Sequence, residues 1–244
     1  MNLQKHIYYL REYFFPEGCS CCWEALLGAD ESYFGLCTDC RSSFESVLNS
    51  EKRCRICGKP LVSEIETCLS CRESDGIPKQ KYNENFERIW SIFPYKGKFK
   101  AVLKAYKFKK HIALANFFVY CLNTVLKEAI DITEIALVPV PPKSGKIKKQ
   151  GWDQIDFLSN RLKLNNHLPV DKCLKRLPSR SQKELNREER SKNLKGRILC
   201  VKKPPKNAIL FDDVITTGAT LNACAEVLRE GGTEKVFGVC LFFD

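Results

Sequence analysis

Two sets of residues in this 244-residue chain have types and spacings suited to chemistry. The first is Ile209–Thr220, which reads ILFDDVITTGAT. An apolar run ends in adjacent carboxylates, Asp212 and Asp213. Small and hydroxyl residues follow, Thr216, Thr217, Gly218, Ala219 and Thr220, and a helical pattern then begins. That order predicts a strand, a turn and a helix N-terminus, where unpaired N–H groups and the helix dipole favour an anion. Gly218 lets the backbone approach a ligand closely, and the three threonines add hydroxyl donors. A nucleoside-triphosphate loop would carry a lysine in GxxxxGK[ST]. Here two acids stand in place of the lysine, which suits a ligand that presents hydroxyls as well as a phosphate, such as a ribose. The plain alternative is an ordinary strand–helix turn with solvated acids.

The second set is cysteine. Of fourteen, eight form Cys-x-x-Cys pairs: Cys19/Cys22, Cys37/Cys40, Cys54/Cys57 and Cys68/Cys71. Two thiolates so spaced reach one tetrahedral ion, and paired knuckles in a cytosolic chain indicate zinc. Gly58 follows Cys57 where a knuckle wants a left-handed residue. Fourteen residues separate Cys22 from Cys37 and ten separate Cys57 from Cys68. Each gap has room for a short hairpin, which favours Cys19, Cys22, Cys37 and Cys40 on one ion and Cys54, Cys57, Cys68 and Cys71 on another. A cross-braced arrangement would pair the first knuckle with the third. Redox chemistry is disfavoured because no βαβ pattern surrounds the pairs. Four thiolates leave no open position, so both ions are expected to be structural. Cys21 sits inside the first knuckle and is a competitor for Cys22. Cys121, Cys173, Cys200, Cys224 and Cys240 lie in apolar contexts and read as small core residues.

These residues need elements to position them. At 44% apolar content the chain is globular and long enough for one α/β domain plus a small unit. Residues 16–78 hold the knuckles, after a helical stripe within 1–15 (Leu3, Ile7, Leu10, Phe14). Residues 82–244 alternate strands and helices, the pattern of a parallel sheet with its ligand at the strand C-termini. Strands are expected at Arg88–Tyr95, Ile135–Pro141, Cys173–Leu177, Arg197–Val201, Ala208–Phe211 and Lys235–Phe242. Helices are expected at 98–110, 112–130, Trp152–Leu164 and Ala219–Arg229. The net charge of +11 is uneven: residues 1–80 carry −3 and residues 81–244 carry +14. The larger part therefore attracts polyanions. No run approaches the ~18 apolar residues of a membrane span, and no signal-peptide pattern opens the chain. The expectation is a cytoplasmic protein without a membrane span.

The DD-x₃-TGAT turn closely resembles the phosphoribosyl-pyrophosphate (PRPP) loop of type I phosphoribosyltransferases. Further segments widen the likeness: the tandem knuckles, Tyr95–Lys109 with Tyr106-Lys107-Phe108, Val138-Pro139-Val140-Pro141 followed by Gly151-Trp152-Asp153-Gln154, and Arg180-Ser181-Gln182 followed by Leu185, Arg187, Arg190 and Asn193. Together they resemble the ComF family, which includes the competence protein ComFC and GntX-type relatives. The resemblance covers nearly the whole chain. It implies an α/β fold: a parallel-sheet, type I phosphoribosyltransferase-like domain preceded by a small four-cysteine zinc-ribbon module. It also implies a role in natural transformation and in handling incoming single-stranded DNA, alongside competence or recombination proteins such as a DNA-uptake helicase. One departure stands out. The family usually reads Arg-Gly-Phe-Asn-Gln after VPVP, whereas here Gln150-Gly151-Trp152-Asp153-Gln154 loses the arginine, with Lys148 and Lys149 just before it. Lysine does not replace a bidentate arginine.

On that resemblance Asp212 and Asp213 take the ribose hydroxyls and, with Mg²⁺, lie near the charge that develops when C1–pyrophosphate breaks. Thr216, Thr217, Gly218, Ala219 and Thr220 take the 5′-phosphate. Lys143, beside Gly145 after a strand, is placed to meet pyrophosphate. Arg180, Arg187 and Arg190 lie in a polar stretch suited to a lid. No residue announces itself as the base for an acceptor, so a non-catalytic PRPP sensor or nucleic-acid or protein adaptor is the second reading. For that reading, Lys98, Lys100, Lys104, Lys107, Lys109 and Lys110 interleave with Tyr95, Phe99, Tyr106 and Phe108, a pattern suited to single-stranded DNA. The alternative is an amphipathic helix whose aromatic residues are buried.

Overall fold

The computed structural model of the protein describes residues 17–69, 71–72, 85–130, 134–143, 145, 147, 151–166, 168–178 and 196–244. The helix expected within 1–15 and the segment bearing Arg180, Arg187 and Arg190 lie outside the described residues. The elements run α1 (Ala29–Phe34), α2 (Thr38–Leu48), β1 (Arg88–Pro94), α3 (Gly97–Lys109), α4 (Leu114–Ile130), β2 (Ile135–Pro139), α5 (Gln154–Asn166), β3 (Leu174–Arg176), β4 (Ile198–Cys200), β5 (Asn207–Ile215), α6 (Ala219–Glu230) and β6 (Lys235–Phe243).

Strands β1, β6, β5 and β2 form a four-stranded sheet in that order, parallel throughout, while β3 and β4 form a separate antiparallel pair. The central strands β5 and β6 are almost wholly buried, as strands covered on both faces must be. Ile209 and Phe211 of β5 join one core cluster with α3, α4 and α5, whereas Ala208 and Leu210 join the other with α6, β3 and β4. In α6, Leu221, Cys224, Ala225 and Leu228 are buried at one-face helical spacing. That face packs α6 onto the sheet between the adjacent parallel strands β5 and β6 that it connects.

The first two knuckles are built into this core, whereas Cys54, Cys57, Cys68 and Cys71 form a small cluster of their own with Leu61 and Ile56. Two short antiparallel bridges, Gly18 with Ala25 and Arg53 with Pro60, frame the knuckles at Cys19/Cys22 and Cys54/Cys57. The gap after Cys22 holds helix α1 rather than the expected hairpin, and Cys37 is the N-cap of α2. The knuckle Cys37/Cys40 is thus the first turn of a helix, whose Phe44 is fully buried against Phe93, Phe99 and Phe117.

The knuckle at Cys54/Cys57 lies on β1, an edge strand of the sheet. Gly58 has φ +71, and a Cβ there would fall 2.6 Å from Ser91 N and 2.7 Å from Ile89 O. Only glycine permits so close an approach to strand backbone. Gly58→Ala should cost about 2 kcal/mol through left-handed strain and overpacking. Urea unfolding of the zinc-loaded protein measures this, and an unchanged midpoint would show that the knuckle is not seated tightly on β1.

Candidate functional site

The eight thiols fall into two groups, Cys19/Cys22/Cys37/Cys40 and Cys54/Cys57/Cys68/Cys71, each with all Sγ atoms within 4.8 Å of one another. This is the sequential grouping. A tetrahedral ion with Zn–S near ~2.3 Å separates its sulfurs by about 3.8 Å. Cys22 and Cys37 lie 3.7 Å apart, and Cys57 and Cys68 lie 3.6 Å apart. The donor sets therefore fit two structural zinc ions. Each group also contains a sulfur favoured as thiolate. Burial opposes the charge on Cys19, but the N–H groups of Cys22, Cys37 and Cys21 prevail and bring it down to about 7. Cys54 likewise comes down to about 7, against its burial, through the N–H groups of Cys57, Cys68 and Ile56. Cys21 is half-buried beside the first group. Burial is the main cause that raises its thiol above the ordinary range, so it is less readily ionised than Cys19.

The paired acids stand at a strand end rather than in a knuckle. β5 does not stop at Phe211 but runs to Ile215, so both carboxylates lie within the strand. Adjacent strand residues point to opposite faces. Asp213 follows Ile209 and Phe211 toward α3, where its Oδ2 is 2.6 Å from Lys107 Nζ. Asp212 turns toward the α6 side, and its Oδ1 accepts the Asp213 N–H at 2.8 Å. On that side burial, and then the Asp212 charge, push the Cys224 and Cys240 thiols above their ordinary range. Burial lowers the Arg176 guanidinium of β3, while Cys224 and Asp212 pull the other way. A ligand touched by both acids must therefore lie across the C-terminal edge of β5.

The turn that follows has the expected form. Thr216 and Thr217 are exposed, and Gly218 is the buried N-cap of α6 with φ +68. The Thr217 hydroxyl accepts the Ala219 N–H at 3.4 Å, and Thr220 opens the helix half-buried. β2 lies beside β5, with Pro139 opposite Phe211 and the Val140 N–H donating to the Phe211 carbonyl at 2.9 Å. Exposed Lys143 thus leaves the sheet at the same edge as the acids.

Trp152 and Asp153 have clear local tasks. Asp153 caps α5, accepting from Ile155 N at 3.0 Å and Asp156 N at 3.4 Å, a role that asparagine or aspartate fills equally. The Trp152 indole meets Tyr106 edge-on at 5.0 Å and donates to the Lys107 carbonyl at 3.4 Å.

The basic helix divides in two. Phe99 packs half-buried against the core, and Tyr106 is fully buried, so the Tyr106 ring is closed to a base. Their spacing with Val102 and Leu103 puts them on the apolar face of α3. Lys98, Lys100, Lys104, Lys109 and Lys110 are exposed, whereas Lys107 points into the site. Its position four residues after Leu103 marks it as a flank of the buried stripe, a signal readable from helical phase. Sequence reasoning also passed over Trp23, which is 62% exposed with Lys109 Nζ 4.4 Å from its ring centroid. Exposed Phe108 is the open aromatic within the lysine run itself.

Comparison with known proteins agrees with this architecture. The double zinc ribbon domain matches residues 10–72. Competence protein ComFC of Streptococcus pneumoniae is 29% identical over 214 residues, spanning 86% of this chain and 88% of its own. Competence protein F of Haemophilus influenzae is 26% identical, spanning 83% of this chain and 87% of its own. The DNA utilization protein YhgH of Escherichia coli is 22% identical, spanning 90% and 95%. No helix among the described residues is long and apolar enough to cross a membrane.

Proposed function

We propose that the chain is a member of the ComF family and a PRPP-binding, phosphoribosyltransferase-like protein acting in DNA uptake and single-stranded DNA handling. The DNA role rests on relatives named competence proteins and a DNA utilization protein. The PRPP reading rests on one observation above the rest: two acids near the end of β5 lead directly into a glycine-capped helix N-terminus, beside the end of β2. The first N–H groups of α6 with the Thr216, Thr217 and Thr220 hydroxyls hold the 5′-phosphate. Asp212 and Asp213 hold the ribose hydroxyls from its two sides. Lys143 approaches the pyrophosphate. Carboxylate oxygens and phosphate oxygens are the donor set Mg²⁺ prefers, and the ion supplies charge neutralisation to the leaving group. Residues 82–244 form this domain, and residues 16–78 form the zinc module that braces it in a cytoplasmic protein.

A non-catalytic reading, as a PRPP sensor or a nucleic-acid or protein adaptor, stands beside it. Release of pyrophosphate from PRPP on addition of a base, amine or DNA acceptor marks an enzyme, and saturable binding without release marks a sensor. Under either reading Asp213→Asn should weaken PRPP affinity at least tenfold, about 1.4 kcal/mol. Calorimetric titration with Mg²⁺ measures it, with circular dichroism as the fold control. Unchanged affinity removes Asp213 from the ribose clamp.

A further inference from the structure

Lys107 is held where it is by more than its own side chain. Tyr106 donates to the Gln154 carbonyl at 3.2 Å and Trp152 donates to the Lys107 carbonyl at 3.4 Å, so the last turn of α3 is pinned to the start of α5. From that pinned turn the ammonium reaches Asp213 at 2.6 Å, with the two side chains only 16% and 12% exposed. A shielded ion pair of this kind is weak evidence for stability, because desolvation offsets most of its attraction. Its position at the C-terminal edge of β5 points to a different task.

Resting on the PRPP reading, we infer that Lys107 is a positioning residue: it occupies Asp213 in the ligand-free site and yields it to a divalent cation that arrives with a polyanion. A bare cation at Asp213 must displace the ammonium and then face it at close range, leaving a shielded positive charge without a partner. A metal–PRPP complex removes that obstacle. Its phosphate oxygens give the displaced ammonium a new acceptor while the metal takes the carboxylate. Metal and PRPP therefore bind with positive coupling, and the coupling is reciprocal. The site stays free of metal until the sugar phosphate is present.

The test uses Mn²⁺ as the probe on full-length, zinc-loaded protein, followed by electron paramagnetic resonance without PRPP. Lys107→Gln, which keeps a hydrogen bond to Asp213, should bind Mn²⁺ at least tenfold more tightly than the unaltered protein. Lys107→Met should do the same, and Lys107→Arg should not. Adding Asp213→Asn to Lys107→Gln should abolish the gain. Equal Mn²⁺ affinity in Lys107→Gln and the unaltered protein overturns the proposal, as does a gain that survives Asp213→Asn. Calorimetry with PRPP on the unaltered protein separates the two readings. Absent PRPP binding refutes the sugar-phosphate assignment and, with it, the coupling to PRPP, whereas PRPP binding with no Mn²⁺ gain refutes the lysine proposal alone.

Discussion

Cys57→Ser is expected to unfold far more than one knuckle. Cys57 contributes a thiol to the second group, and its carbonyl accepts the Ser91 hydroxyl of β1. The next residue, Gly58, lies against the β1 backbone, and Lys59 Nζ donates to the Asp244 carbonyl at 2.8 Å after passing over the Phe243 ring. Three consecutive residues therefore tie this zinc group to both β1 and the end of β6. Structural zinc in small modules contributes on the order of 10 kcal/mol of apparent binding energy. That matches the whole stability of an ordinary domain, about 5–15 kcal/mol. Losing the ion releases the knuckle and bares the edge of β1, whose unpaired backbone groups invite aggregation. The expected result is one zinc per chain instead of two by elemental analysis, loss of the cooperative thermal transition, and poor solubility. Cys71→Ser removes another ligand of the same ion and should give the same zinc content and the same loss of the cooperative transition, since the contacts of residues 57–59 use backbone and the Lys59 side chain rather than the Cys57 thiol. A Cys57→Ser protein that melts like the unaltered chain would show that the ribbon is an appendage rather than a brace.

Arg53→Met should cost about 3 kcal/mol with both zinc ions retained. The side chain is half-buried, and its two terminal nitrogens donate to four carbonyls. Nη1 reaches Gly58 and Ser91, each at 3.0 Å, and Nη2 reaches Val47 at 2.6 Å and Leu48 at 3.0 Å. One side chain thus joins the C-terminal end of α2, the Cys54/Cys57 knuckle and the first strand of the sheet. Of the two carbonyls at the end of α2, Val47 also accepts the Ser50 N–H at 3.3 Å, and the helix dipole favours a cation there. Methionine fills similar volume but withdraws all four donated hydrogen bonds. Lysine at this position should recover less than half of the loss, since a single ammonium lacks the planar fork that reaches two pairs of carbonyls at once. A fall in melting temperature of roughly 10 °C is expected for a chain of this size. Full zinc content in the same sample separates this effect from ligand loss. A variant that unfolds at the unaltered temperature would show that water satisfies these carbonyls.

Much of the architecture is legible in local pattern. The strands β1, β2, β5 and β6 and the helices α3 to α6 lie within a few residues of where periodicity puts them, because buried elements repeat their apolar residues at a fixed spacing. The misplacements have physical causes. The unbroken apolar run stops at Phe211, yet pairing with β6 carries β5 through two acids to Val214 and Ile215. The gap after Cys22 has room for a hairpin, but Ala29–Phe34 forms a helix with Glu31 turned back onto the N–H groups of Leu27 and Thr38.

The sequence by itself determined the eight paired thiols suited to metal and the strand–acid–turn–helix order at Ile209–Thr220, while the sequential rather than cross-braced grouping of the thiols came from the structure. Both are written in spacings of a few residues, which local backbone geometry converts directly into shared ligands or a shared turn. Only the tertiary structure decided what stands opposite them. Lys107 and Asp213 are 106 positions apart in the chain, and Arg53 and Ser91 are 38 apart. No periodicity links such residues. Which lysine of a basic helix meets a carboxylate, and which face of a strand each of two adjacent acids takes, follow from how helices pack on the sheet.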